Sequence, residues 1–168
     1  GFCLTHRQFE ALGEEVYDVA IDATLAPGHL TYGECVLPGE IEDEVLISCH
    51  ICHPSMCNDN LSGVVLAATL ARHLSSVARR YTYRFVFVPG TIGSITWLAL
   101  NQASIGRIRH GLVVAYTADA GAMTYKRSRH GDAAIDRAVV HVLKHSGQPF
   151  EVLDFSPYGN DERQYNSP

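Results

Sequence analysis

One run of this chain, "EVLISCHIC" (Glu44 to Cys52), is too nearly continuous in apolar character to be a half-solvated strand and reads as a central strand buried on both faces. "YRFVFVPG" (Tyr83 to Gly90) reads as another buried strand and "HGLVVAYTAD" (His110 to Asp119) as a further strand ending at Asp119. Pro54 and Pro89, which lack a donor N–H, close the first two. Between and after them lie helical segments. "LSGVVLAATLARHLSSV" places Leu66, Leu70 and Leu74 on one face, with Val65 and Thr69 beside it. "SITWLALNQ" is a short helix. "GDAAIDRAVVHVLKHSG" is a longer one, with Asp132 near its start and Gly147 just past its end. "FEVLDF" starts a further strand.

Ahead of these, "LTYGECVL" reads as a strand between the turn signals "APGH" and "LPGE", and "VYDVAID" (Val16 to Asp22) alternates as another. Strands alternating with helices predict an α/β domain of three layers, with a mixed, largely parallel central sheet flanked by helices. In such sheets, sites gather at the carboxyl ends of the strands, where His53, Pro89-Gly90 and Asp119 are expected.

Composition narrows the function. The chain carries 13 Lys and Arg against 18 Asp and Glu, a formal charge of -5. That balance disfavours nucleic-acid binding, which rests on neutralising phosphates. No apolar run reaches the roughly 20 residues of a membrane helix, and no signal peptide is visible. The one basic cluster, Lys126 to His130, reads as a solvated loop, or as a carboxylate or phosphate contact through Arg127 or Arg129. Five cysteines, three of them crowded into Cys49, Cys52 and Cys57, make a poor disulfide framework. They imply reduced thiols and a cytoplasmic protein. Neither a Gly-x-Ser-x-Gly elbow nor a Walker-type phosphate loop is present.

The stretch "SCHICHPSMCNDNLSG" (Ser48 to Gly63) carries the chemistry. As a structural Cys/His zinc module it has the soft donors, but Cys3 and Cys35 stand alone and supply no second knuckle. Cys49 and Cys52 read better as small hydrophobes of a buried strand. As a hydrolytic metal site it has Asp59, entering the helix that starts near Leu61, beside His50 and His53. Asp59 alone could equally cap that helix, and Asp119 alone could be a turn residue. Their convergence on one sheet edge is the stronger signal.

"SCHICHPSMCNDNLSG", "RFVFVPGTIGSITWL", "ADAGAMTYKRSRHGD" and "SPYGNDERQYNSP" together resemble a bacterial aminopeptidase-like family described as a domain of unknown function. That family belongs with the zinc exopeptidases that include leucyl aminopeptidase and glutamate carboxypeptidase. The likeness covers essentially the whole chain, which then reads, over residues 1–168, as part of a single catalytic domain truncated at both ends. It implies a zinc-dependent hydrolase that removes an N-terminal amino acid from a peptide or related amide. One metal would take His53 or His50, the bridging Asp59 and Asp119. His53 is preferred as the residue nearest the strand's carboxyl edge; His50 is then a supporting or core histidine.

The sequence departs from the group at the second metal. Gly90 stands in "FVPGTIGS" where a carboxylate is expected, and a late His would fall beyond Pro168. Asp161 and Glu162 are the candidate replacement carboxylates, or else form a charged surface turn. The alternative is a non-catalytic metal- or peptide-binding domain of the same fold. Substrate side chain and oligomeric state are not legible.

Overall fold

The computed structural model describes residues 4–53 and 56–166. Its central sheet has four strands: β1 (Gly33–Leu37), β2 (Glu44–His50), β3 (Thr82–Val88) and β4 (Ile108–Val113), in the order β1-β3-β2-β4. β2 is parallel to both β3 and β4, while β1 runs antiparallel on the outer edge of β3. Central β2 is buried at all seven positions. Its apolar run thus has the cause inferred from sequence, cover on both faces.

The pleat of β2 divides its side chains between two cores. Val45, Ile47 and Cys49 pack with Phe85 and Ala67 under α2 (Gly63–Ser75), joined by Val64, Leu70 and Leu74. Leu46 faces the other way, with Val86, Val88 and the fully buried Trp97 of α3 (Ile92–Leu100). By the same alternation Ser48 and His50 belong to this second face. Ser48 Oγ lies 2.9 Å from the hydroxyl of Tyr165, on α6 (Glu162–Tyr165). The protein is therefore a mixed α/β structure with a largely parallel sheet flanked by helices.

Several elements differ from the sequence reading. Val16–Asp22 forms no strand; Val16, Val19 and Ile21 are exposed, and the alternation finds no sheet edge to pair with. The face of α2 is turned from the expected one. Ala67 is buried, whereas Val65 and Leu66 are exposed. α2 begins at Gly63, after an irregular turn, Asn58–Ser62, in which Asp59 and Asn60 are non-helical. Cys52 lies beyond β2 and is exposed. The proposed stop at Pro54 lies outside the described residues.

A second, two-stranded parallel sheet pairs β5 (Met123–Lys126), which the sequence reading missed, with β6 (Phe150–Leu153). "FEVLDF" joins this sheet rather than the central one. α5 (Ala134–His145) packs on β6 and β4. Its cap comes from within: the Asp136 carboxylate reaches back to accept from the N–H of Ala133 (2.9 Å), so Asp132 is not the N-cap residue. Gly147 ends the helix with φ +70°, as expected of a residue free of a Cβ. A four-residue helix, α4 (Gln102–Ile105), and a short α1 (His6–Glu10) complete the elements. No helix among the described residues is long and apolar enough to cross a membrane.

Candidate functional site

β4 leaves the sheet at Val113, six residues before Asp119, which is therefore not at a strand end. The last sheet-like bond runs from Val114 N to Ser48 O (2.8 Å). Beyond it, side chains of the Asn58–Ser62 turn take the place of a strand. Tyr116 N donates to Asn60 Oδ1 (3.2 Å), Thr117 N to Ser62 Oγ (2.9 Å) and Ala118 N to Asn58 Oδ1 (3.0 Å). Tyr116 bends the chain here with φ +54°, a left-handed conformation unusual for a tyrosine.

Asn60 ties the centre together. Its side chain is fully buried, and Nδ2 reaches the carbonyl of Val114 (3.0 Å), the carbonyl of His50 (3.3 Å) and Cys49 Sγ (3.1 Å). The same Nδ2 faces His50 Nδ1 at 3.3 Å. A neutral His50 ring then carries its proton on Nε2, which lies 2.6 Å from Asp59 Oδ1 and donates to it. His53 Nε2 lies 3.4 Å from the other oxygen, Oδ2. One carboxylate thus faces two imidazoles, one buried and one exposed. The His50 hydrogen bond holds the Asp59 carboxyl below its ordinary pKa, so it is ionised at neutral pH. Asp59 makes no helix-capping bond.

Asp119 is drawn to the same turn but through Asn58. Its Oδ2 accepts from Asn58 Nδ2 (2.9 Å), and its Oδ1 accepts from the N–H of Gly121 (2.8 Å). Both oxygens are occupied, one of them by the turn role its sequence context implied.

Asp161 is the least expected member. It is fully buried, and its Oδ1 accepts from Ser94 Oγ (2.6 Å). Its Oδ2 is buried with no hydrogen-bond partner among the described residues. Burial raises the Asp161 carboxyl above its ordinary pKa. A β-carbon built on Gly90 would stand 3.5 Å from that Oδ2 and 3.3 Å from His50 Cβ. The bare α-carbon of Gly90 therefore opens onto the unpartnered oxygen, beside His50. Glu162 is engaged elsewhere: Lys126 Nζ lies 2.5 Å from Oε1, and the N–H of Asn160 donates to Oε2 (2.9 Å).

Donor types suit a divalent metal: two imidazoles and carboxylates are the nitrogen and oxygen ligands zinc accepts. Among the described residues, however, no three His, Cys, Asp or Glu side chains form a ready cage. The donors are held in hydrogen-bonded pairs that an ion would have to replace, and a neutral His50 could ligate through Nε2 only with its ring proton moved to Nδ1, which faces the Asn60 amide nitrogen. Thiols contribute little. Burial pushes the Cys49 thiol up to about 12, and Cys52 and Cys57 are exposed. The basic cluster is spent internally, with Lys126 on Glu162, Arg127 3.7 Å from Asp154, and Arg129 over the Phe155 ring.

Residues 4–168 match the model of a domain of unknown function, DUF4910. The chain belongs to that family. A Clostridium acetobutylicum protein named "Putative polysaccharide biosynthesis protein with aminopeptidase-like domain" is 51% identical over 168 residues. The match takes in 100% of this chain and 39% of that protein. A crystal structure described as a putative peptidase from Clostridium acetobutylicum superposes with a TM-score of 0.88 at 50% identity, again covering 100% of this chain and 40% of the other. The DUF4910 chain described here thus spans about two-fifths of the length of the relatives it matches.

Proposed function

We propose that this DUF4910 domain carries part of the centre of a zinc-dependent, aminopeptidase-like hydrolase. The observation that carries the reading is the single Asp59 carboxylate facing both His50 Nε2 and His53 Nε2, on the rim of a buried parallel strand. The names of the relatives support a peptidase class and no finer one. His50, His53 and Asp59 would hold the ion, with Asp119 close by through Asn58. Zinc supplies Lewis-acid polarisation of the scissile carbonyl and a lowered pKa for water. Asn60 fixes the His50 ring from behind through Nδ1; zinc binding at Nε2 would need that contact reversed, with Nδ1 as the donor. Asp161, raised by burial and with no donor to Oδ2 among the described residues, would accept a proton beside Gly90, which stands where the group's carboxylate is expected. The substrate would be a peptide or an amino-acid amide with a free N-terminus.

Asp59→Ala tests the ligand set. Zinc content by elemental analysis should fall from stoichiometric to background, while circular dichroism stays native-like. Unchanged zinc in a folded Asp59→Ala protein would sink the assignment.

A further inference from the structure

A second pair of histidines lies outside this centre. His141 and His145 stand one turn apart on α5, both exposed to solvent. Their ring centroids are 4.3 Å apart with the planes inclined at 40°. Two imidazole nitrogens bound to one ion at about 2.0–2.1 Å lie at most about 4.2 Å apart. At this i, i+4 spacing, with the rings side by side, rotation about the side-chain bonds can bring one nitrogen of each ring to a shared ion.

The hydrogen bonding of His145 also fits. Its Nδ1 lies 2.8 Å from the carbonyl oxygen of His141. A carbonyl only accepts, so Nδ1 carries the proton and Nε2 keeps a free lone pair. Donation of one ring N–H to a backbone carbonyl is the arrangement that fixes the tautomer of a metal-binding histidine. The ring nitrogens of His141 have no hydrogen-bond partner among the described residues. Both rings sit at the carbonyl end of α5, where the helix dipole favours a cation. Lys144, three residues after His141, lies about 60° round the helix from it and about 100° from His145, so its ammonium borders the pair and would turn out to solvent when an ion binds.

We propose that His141 and His145 form a surface site for one borderline-soft divalent ion, copper(II), nickel(II) or zinc, with water completing the coordination. The site is independent of the Asp59 centre. Nickel(II) titration by calorimetry, on protein without an affinity tag, tests it. Wild type and Asp59→Ala are expected to share one nickel-binding event that His141→Gln and His145→Gln each weaken at least about ten-fold. Copper(II) added to the Asp59→Ala protein should show imidazole nitrogen couplings in its paramagnetic resonance spectrum, lost in the triple variant that adds His141→Gln and His145→Gln. Equal nickel affinity in wild type and the two glutamine variants, or a copper spectrum unchanged by them, would overturn the proposal. Loss of zinc in Asp59→Ala with nickel binding intact leaves this site standing and speaks only to the other centre.

Discussion

Replacing Asp161 by Asn should make this protein more stable at neutral pH and less active. The carboxylate is fully buried, Ser94 satisfies one oxygen, and the other has no donor among the described residues. A buried polar atom left unsatisfied costs about 1–3 kcal/mol, and more if charged. Asn keeps the shape and still leaves an unpartnered atom at the Oδ2 position, but it removes the charge, so a gain of roughly 1 kcal/mol is expected at pH 7. For a chain of this size that is roughly 2–4 °C of melting temperature per kcal/mol.

The sign follows from linkage. The unfolded carboxyl titrates near ~3.9, and burial raises the folded one. No charge cost exists below the unfolded value; it grows as pH rises towards the folded value and is complete above it. Urea unfolding in EDTA, run from pH 3 to 8, should therefore show the two proteins converging at the acid end and separating towards neutrality. With zinc restored, peptidase turnover by Asp161→Asn should fall by about 10²-fold or more if this carboxylate is the base. A group that costs stability and supplies activity is the trade expected of a site residue. Asp161→Asn being less stable than wild type at pH 7 in EDTA, or differing equally at every pH, would refute the reasoning.

Other outcomes follow from the same geometry. Asp136 accepts from Tyr125 (2.7 Å), the Ser128 hydroxyl (2.6 Å), the Ser128 N–H (2.8 Å) and the Ala133 N–H (2.9 Å), so Asp136→Ala should cost at least about 3 kcal/mol by urea unfolding. Burial alone would raise the Asp136 carboxyl, but those bonds outweigh it and hold the group below its ordinary pKa; its contribution should be present above about pH 3.9 and disappear as pH falls through the lowered value. The double variant Cys49→Ala, Cys52→Ala should keep its zinc content and lose roughly 1–2 kcal/mol of stability; zinc loss would return the thiols to the ligand set. Gly90→Glu puts a carboxylate into the space beside His50 and Asp161, and a p-nitroanilide assay should register a rise in turnover of about 10²-fold; an unchanged rate would show that Gly90 is not the position of a base.

What the sequence determined by itself is the layered α/β scheme. The burial of β2 and of the second half of β3 shows in their nearly continuous apolar character, because a strand covered on both faces needs no polar alternation. The proximity of His50, His53 and Asp59 was legible for a similar reason: His50 and Asp59 are nine positions apart, and one strand end and one turn bring them together. Other features depended on partners distant in sequence. The alternation of Val16–Asp22 satisfies the strand pattern but not the need for an edge to pair with. Asp119 reaches the site only because Asn58, Asn60 and Ser62 stand in for a strand and draw residues 116–118 off the sheet. Asp161, with the period of a surface turn, becomes a buried carboxylate because α6 lies against α3 and Ser94, 67 positions away, meets its oxygen. Local pattern reports which face of an element is covered; what covers it, and which charge is trapped beneath, is decided by contacts between residues far apart in the chain.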